Sequence, residues 1–135
     1  MVARRRPVYR AGSTFDPASI TPRQWGYLAG LIDADGSIIF SPAPRRTGYT
    51  IAIYVFNTSI ELVNWCVDIF GGRIENHQVS AIGTKPSYRW CSTRYIDMYF
   101  ILQNIASTLL VPEKRERAFQ AFALIRTELA KERLI

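Results

Sequence analysis

Hydrophobic positions along the chain change repeatedly between a helical and a strand period. The first helix is expected to begin at Thr21 and Pro22, which are favoured at the N-cap and in the first turn, and to run to about Asp33. Core-facing and outward-facing residues then alternate over 37–44 and again over 49–57. This alternation predicts two strands joined by a turn.

A second, amphipathic helix is predicted after these strands, with Thr58 and Glu61 as a capping box and Gly71 at its end. Its apolar residues recur three and four positions apart, so Cys66 is expected in the core rather than as a reactive thiol. The remaining predicted elements are two strands and two helices, at 73–78, 86–92, 95–107 and from Pro112 onward.

This order of elements predicts an α+β fold. Two pairs of strands separated by helices form an αββαββα core, in which helices cover one face of a four-stranded, mainly antiparallel sheet. The length of 135 residues fits a single domain, which we place at 21–135. Residues 1–20 form a basic arm, for which we consider both disorder and contact with a nucleic-acid backbone.

Small residues occupy one side of the first helix. Gly26, Ala29 and Gly30 share this side with Asp33. A glycine inside a helix costs about 1 kcal/mol relative to alanine, and a second helix crossing at close range would compensate for that cost. We therefore expect these residues at a close helix–helix contact, with a structural or capping role for Asp33.

Positive charge is concentrated on the predicted sheet and the arm. The net charge is +6, and residues 37–94 outside the second helix hold six basic residues and one acidic residue. A basic, aromatic-bearing sheet face fits a DNA major groove, although an ordinary solvated face has the same pattern. The candidate DNA-contacting residues lie on the uncovered face and in its turns: Ser37, Ile39, Ser41, Arg45, Arg46, Thr50, Tyr54, Arg73, Glu75, His77, Lys85 and Arg89.

Several other kinds of site are excluded by composition. Cys66 and Cys91 make neither a disulfide framework nor a zinc pattern, and His77 is the only histidine. No apolar run approaches the roughly 20 residues of a membrane helix, and no secretory signal is visible, so we expect an intracellular protein. A metal site in this chain would depend on carboxylate and carbonyl oxygens.

Residues 28–36 carry the most specific signal in the chain, Leu-Ala-Gly-Leu-Ile-Asp-Ala-Asp-Gly. This resembles the LAGLIDADG homing endonuclease family at all nine positions of the motif that names it, and the element order resembles the family core over about residues 21–133. Three other interpretations compete. A calcium loop would need further acidic ligands after Gly36, a haloacid-dehalogenase-type aspartate loop would need a hydrophobic strand before Asp33, and the acids could simply cap the helix.

The resemblance implies a metal-dependent phosphodiester hydrolase. Asp35 would ligate the metal, assisted by the backbone carbonyl of Ala34. In such reactions a divalent metal activates water and stabilises the leaving oxygen. The implied cofactor is Mg²⁺, with Mn²⁺ as an alternative, and Ca²⁺ is expected to support binding without cleavage.

The resemblance implies two further catalytic residues. Lys114, near the start of the last helix, would stabilise transition-state charge or orient water, and Asn57, at the end of the second strand, would position solvent. Their plain alternatives are a surface lysine, although cations are disfavoured at helix N-termini, and a helix cap. A basic residue that some family members carry after the second strand is missing here, so either Arg94 or Arg115 replaces it or the water network differs.

The presence of one motif in the chain implies a homodimer, since a single Asp35 cannot serve both strands of a duplex. Two copies would meet at the Gly26 and Gly30 side of the first helix, and would recognise a pseudo-palindromic site in double-stranded DNA. The resemblance further implies short 3′ overhangs and mobility of an intron or intervening sequence, with neither a membrane nor a small-molecule substrate involved. The alternative is a non-catalytic nucleic-acid-binding protein of the same fold, either an intron maturase or a DNA-binding regulator.

Overall fold

The computed structural model describes residues 13–43, 48–77 and 86–135. Within these ranges, four helices and four strands follow one another in the predicted order. The helices are α1 (Pro22–Asp35), α2 (Ile60–Phe70), α3 (Tyr95–Ile105) and α4 (Pro112–Lys131), and the strands are β1 (Gly36–Ala43), β2 (Gly48–Asn57), β3 (Arg73–His77) and β4 (Ser87–Ser92). No helix in the described ranges combines the length and hydropathy needed to cross a bilayer.

The strands form one sheet in the order β1-β2-β4-β3, and every neighbouring pair is antiparallel. Helices α1, α2 and α4 pack against the sheet face that carries Ile38, Ile53 and Trp90, α3 packs against α1 and α4, and these elements enclose the hydrophobic core. Trp90 and Phe70 are the largest fully buried side chains. The predicted α+β fold with a four-stranded antiparallel sheet is therefore confirmed.

Helix α1 begins as the sequence predicts. The hydroxyl of Thr21 accepts a hydrogen bond from the backbone N–H of Gln24, and the side chain of Gln24 accepts one from the N–H of Thr21. This reciprocal arrangement is a capping box. The helix continues past the predicted end at Asp33, so that Asp35 is its last residue.

The cap of α2 differs from the prediction. Ser59, rather than Thr58, is the N-cap residue, and its hydroxyl accepts from the backbone N–H of Leu62. The side-chain oxygen of Asn57 accepts from the N–H of Ser59 at 2.8 Å, which places the start of the helix one residue later. The predicted cap at Thr58 is therefore wrong, while the position of the helix is right.

The segment that precedes α1 packs against the body of the protein. Phe15 is buried and meets the rings of Trp25 and Phe70 edge to face. The buried carboxylate of Asp97 accepts a hydrogen bond from the backbone N–H of Thr14 at 2.8 Å. The packed body thus begins earlier in the chain than the domain boundary that composition suggested.

Cys66 lies in the core, as the helical spacing predicts. Burial raises the pKa of its thiol to about 12, so the thiol stays protonated near neutral pH. Because only the thiolate is a good nucleophile, Cys66 has the properties of a packing residue.

Candidate active site and nucleic-acid interface

The junction between α1 and β1 leaves no room for a side chain at Gly36. A Cβ built there would lie 2.6 Å from the Cα of Ile32 and 2.7 Å from the carbonyl oxygen of Tyr54. The φ angle of −108° is ordinary for any residue, so crowding by α1 and β2 is what requires glycine. The close approach lets the chain pass directly from the last residue of α1 into the sheet.

Asp35 lies exposed at this junction. Its Oδ2 accepts a hydrogen bond of 3.1 Å from Nδ2 of Asn57. The Asn57 Oδ1 accepts in turn from the backbone N–H of Ser59, and this second contact orients the amide so that its donor points to Asp35. Among the described residues nothing else hydrogen-bonds to Asp35, so its carboxylate is oriented but largely open.

Asp33, two residues earlier, uses both oxygens of its carboxylate within the chain. It accepts from the backbone N–H groups of Leu110 at 2.9 Å and Val111 at 3.0 Å, just before α4. Negative charge is favourable at a helix N-terminus, where backbone N–H groups lack partners. Asp33 thus has a structural role at the start of α4, as expected, because its carboxylate is hydrogen-bonded to the chain's own backbone.

Lys114 makes the complementary contact. Its Nζ donates to the backbone carbonyls of Ile32 and Asp33, both at 2.8 Å, at the C-terminal end of α1. A cation in the first turn of α4 is unfavourable for that helix, but it is favourable at the carbonyl end of α1. Asp33 and Lys114 therefore cap each other's helices and fix the ends of α1 and α4 together.

The donors at this corner are of the kind that hard divalent cations prefer. The carboxylate of Asp35 and the backbone oxygen of the exposed residue Ala34 are oxygen ligands, which suit Mg²⁺ or Ca²⁺. In the described part of the chain, no group of three or more His, Cys, Asp or Glu side chains could hold a metal. One chain would thus supply only part of a coordination shell. This agrees with the usual coordination of Mg²⁺ in proteins, in which waters and substrate phosphates provide several of the ligands.

The small-residue side of α1 is only partly exposed. Gly26 and Gly30 are exposed, and a Cβ added to either would meet no described atom within 4 Å outside the local helix backbone. Ala29, by contrast, is 2% exposed and packs in the chain's own core. The free face of α1 therefore contains the two glycines but not Ala29, which the sequence had grouped with them.

The strand register tests which candidate residues share the uncovered sheet face. Residues directly opposite one another on neighbouring strands point to the same side. We call the side opposite the core the open face, and its residues are Ser37, Ile39, Ser41, Thr50, Ala52, Tyr54, Phe56, Arg73, Glu75, His77, Ser87, Arg89 and Cys91. All candidates on the described strands thus share one face, while Arg45, Arg46 and Lys85 lie outside the described residues.

Six residues from β2, β4 and the edge strand β3 contact one another on the open face, and we call them the Glu75 cluster: Tyr54, Phe56, Arg73, Glu75, Arg89 and Cys91. In the register, Glu75 faces Arg89 and Arg73 faces Cys91. Glu75 accepts from Nη2 of Arg89 at 2.6 Å, from Nη2 of Arg73 at 3.1 Å and from Sγ of Cys91 at 2.9 Å. The guanidinium of Arg89 also lies over the ring of Tyr54, 4.4 Å from its centroid.

These contacts shift the pKa values of the cluster. Hydrogen bonds from Cys91 and Arg89, aided by the charges of Arg89 and Arg73, lower the pKa of Glu75 to about 2. Burial, followed by the contact with Glu75, raises the pKa of Cys91 to about 12. The hydrogen bond to Glu75 raises the pKa of Arg89. Near neutral pH the cluster therefore holds two cations, one carboxylate and a neutral thiol.

Phe56 is a member of this cluster that the sequence-based candidates missed. It faces Arg89 across the β2–β4 pair, and its ring centroid lies 5.9 Å from the Arg89 guanidinium. The signal was available, since Phe56 has the same strand parity as Tyr54. For His77 the register gives only its position on the open face.

Solved structures of homing endonucleases share this architecture. I-CvuI, in complex with its target in the presence of Ca, is 19% identical to this chain and superimposes with a TM-score of 0.60. The alignment covers 78% of this chain and 67% of I-CvuI. The archaeal intron-encoded homing endonuclease I-Vdi141I, complexed with DNA, is 18% identical and superimposes with a TM-score of 0.61. The alignment covers 84% of this chain and 73% of I-Vdi141I. The LAGLIDADG homing endonuclease I-SmaMI, bound to cleaved DNA, is 18% identical and superimposes with a TM-score of 0.60. The alignment covers 87% of this chain and 39% of I-SmaMI. No protein-family model and no curated protein matches the sequence.

These likenesses define the class of fold. The chain has the fold of the LAGLIDADG homing endonucleases, and the resemblance drawn from residues 28–36 is confirmed at that level. The chain spans about two thirds of I-CvuI and about two fifths of I-SmaMI. At identities below 25%, the activity has to be argued from the site itself.

Proposed function

We propose that the protein is a site-specific, metal-dependent double-strand DNA endonuclease of the homing type, acting as a homodimer. The observation that carries this proposal is the corner around the end of α1. There an exposed, oriented Asp35 lies beside Asn57, and Lys114 is bound to the last turn of the same helix. The fold is that of homing endonucleases, and the nine-residue motif supplies Asp35 at its end.

Asp35 and the Ala34 carbonyl would hold the metal, which we propose to be Mg²⁺, with Mn²⁺ as a substitute. Bound there, the cation would supply activation of a water nucleophile and stabilisation of the leaving oxygen. Ca²⁺ has the same ligand preference but is expected to support DNA binding only. The openness of the Asp35 carboxylate is what supports this assignment.

The chain's own residues orient the site. Asn57 holds the Asp35 carboxylate through one N–H, and its own amide is held by the backbone of Ser59, so the carboxylate need not be ordered when substrate binds. Lys114 uses two of its three N–H donors on α1 carbonyls. The third would be directed at the scissile phosphate, where it would stabilise developing negative charge.

The geometry of α1 supports the proposed dimer. Gly26 and Gly30 offer a flat, exposed helix face at which a second α1 can approach closely. A twofold axis at this face would bring two Asp35 residues together, one for each DNA strand. The DNA site would then be pseudo-palindromic, and the offset of the two cuts would give short 3′ overhangs.

The open face would enter the major groove. It carries two arginines, with aromatic residues beside Arg89, and a DNA major groove admits a β-ribbon. Phosphate contacts would position the protein, and side chains of the central strands would contact base edges.

A two-stage selection tests the proposal. Duplexes that bind the protein are selected from a random-sequence library in Ca²⁺ buffer and then transferred to Mg²⁺ buffer, and the products are sequenced at their ends. We expect cuts at fixed, symmetric positions on both strands with short 3′ overhangs, and no cuts with the Asp35→Asn variant. Selection of a sequence that is then cut in neither Mg²⁺ nor Mn²⁺ would contradict the nuclease and favour the non-catalytic alternative.

A further inference from the structure

Glu75 is unusual among the open-face residues because its own chain already occupies its carboxylate. One oxygen accepts from Arg73 and Cys91, and the other accepts from Arg89. A carboxylate offers about four acceptor positions, and three are used here. An acidic side chain that contacts DNA bases does so by accepting from cytosine N4, and Glu75 has little capacity left for that contact.

The two arginines are held in place by these contacts. Arg89 is fixed between Glu75 and the ring of Tyr54, and its buried Nε has no hydrogen-bond partner among the described residues. Only its terminal nitrogens can therefore be presented outward. Arg73 is held at two points, by Glu75 and by the hydroxyl of Thr93 at 3.2 Å. Both side chains thus lose rotamer freedom before any DNA is bound, which reduces the ordering cost of a specific contact.

Charge gives Glu75 a second effect. Arginine binds phosphate regardless of sequence, and each phosphate contact makes DNA binding depend more strongly on salt. With Arg73 and Arg89 both paired to one carboxylate, the cluster has a net charge of +1 rather than +2. The pairing therefore restrains both arginines from contacting any nearby phosphate.

We propose that Glu75 is a specificity-determining positioning residue, which holds Arg73 and Arg89 toward base edges and suppresses their sequence-independent binding to phosphate. This inference rests on the proposed DNA-binding function. Its direct consequence has an unusual sign: removing the Glu75 charge should strengthen binding to arbitrary DNA while weakening discrimination among sequences. A direct base contact by Glu75 would instead be seen as a loss of preference confined to one base pair.

The test compares Glu75→Gln with Glu128→Gln in the full chain. Glu128 pairs with Lys131 on α4 at 3.3 Å, so the control makes the same charge change and also breaks an ion pair, away from the open face. Binding to a random-sequence 30-base-pair duplex is measured by fluorescence anisotropy at several salt concentrations. For Glu75→Gln we expect tighter binding and a log-affinity slope against log salt that is steeper by about 0.9 per protomer, the value of one added phosphate contact. For Glu128→Gln we expect the wild-type slope.

Glu75→Asp separates positioning from charge. The shorter side chain keeps the negative charge but cannot reach both arginines as Glu75 does. We expect a salt slope on random DNA that lies between those of the wild-type protein and Glu75→Gln, together with a broader sequence profile when the variant is used to select binding sites. This variant also keeps the proposal testable if Glu75→Gln fails to give the wild-type circular dichroism spectrum.

Each contrary result has its own meaning. Wild-type protein that binds no duplex DNA overturns the proposed function, and with it this inference. Wild-type protein that binds DNA, with an unchanged slope in Glu75→Gln and an unchanged profile in Glu75→Asp, overturns the role of Glu75 alone. A loss of preference at one base pair in both variants, without any change on random DNA, would assign Glu75 a direct base contact instead.

Discussion

Asp35 and Glu75 are carboxylates in two regions of the molecule with opposite surroundings. Asp35 lies exposed at the end of α1 with one hydrogen bond, from Asn57. Glu75 lies on the open face of the edge strand β3 and accepts from three side chains. A carboxylate with unfilled acceptor positions can take a ligand, whereas one whose positions are filled can only hold its neighbours. The number of donors around each group, rather than the charge they share, separates the proposed catalytic role from the positioning role.

The same division occurs within the motif itself. Asp33 and Asp35 are two residues apart on one helix, but Asp33 is engaged by the two backbone N–H groups before α4. Asp33 therefore belongs with Glu75 as a carboxylate that is satisfied by its own chain. Asp35 is the acid of the motif that remains available to a metal and substrate.

The largest effect is expected from Asp35→Asn. The amide keeps the size of the side chain and the contact with Asn57, but it removes the charge from the proposed metal site. Cleavage of a selected DNA site should fall by orders of magnitude while specific binding is retained. Plasmid cleavage beside a gel-shift titration measures both, and full activity of the variant would show that Asp35 is not a metal ligand.

Gly30→Leu should abolish activity by another route, through the pairing of two Asp35 sites. A Cβ at Gly30 meets no described atom within 4 Å outside the local helix backbone, so the fold should survive while the close helix contact is blocked. Sedimentation should then show a folded monomer that does not cleave DNA.

The matched control is Ala123→Leu, which introduces the same side chain at an exposed position of α4. It should leave the dimer intact. A stable, active dimer of Gly30→Leu would place the interface elsewhere on the protein.

Asp33→Ala should mainly lower stability. Its carboxylate acts as a cap for the start of α4, and replacing a capping residue by alanine costs about 0.5–2 kcal/mol. Asp35→Ala removes one exposed hydrogen bond and should cost clearly less. Urea unfolding of the two variants sharpens the contrast between the motif acids, and equal losses of unfolding free energy would refute it.

The smallest effect concerns the pH dependence of stability. Because the folded-state pKa of Glu75 is lowered from 4.5 to about 2, its ionised form favours the folded protein above about pH 4.5. This contribution to stability is lost as the pH falls from about 4.5 to about 2. The difference in unfolding free energy between wild-type protein and Glu75→Gln should therefore shrink between pH 6 and pH 2, and a difference that grows on acidification would contradict the contacts described.

The elements of the fold were readable from local sequence because their signals are local. Thr21 and the strand alternation predicted α1, β1 and β2 to within a few residues. The burial of Ala29 could not be predicted, because a stripe of small residues on a helix does not indicate which of them faces the core. Only the packed structure shows that it lies inside while the glycines lie outside.

The residues of the candidate site could be predicted from the sequence, but the contacts between them could not. The motif indicated Asp35, and the family resemblance, with the matching strand parity, indicated Asn57, but sequence does not show that one donates to the other. Lys114 looked out of place at the start of α4, because the helix end that it serves belongs to α1. Contacts between distant parts of the chain carry no local signature, and both the reciprocal caps and the Glu75 cluster depend on such contacts.

The reciprocal caps also bear on how the protein folds. Asp33 is separated by 77 residues from Leu110 and by 78 from Val111, so the corner forms only when both ends of the domain have come together. Contacts so far apart in sequence are costly to close and tend to form late in folding. The amide protons of Leu110 and Val111 should therefore gain protection from hydrogen exchange late in refolding, and a chain interrupted before α4 would carry the whole nine-residue motif without an assembled site.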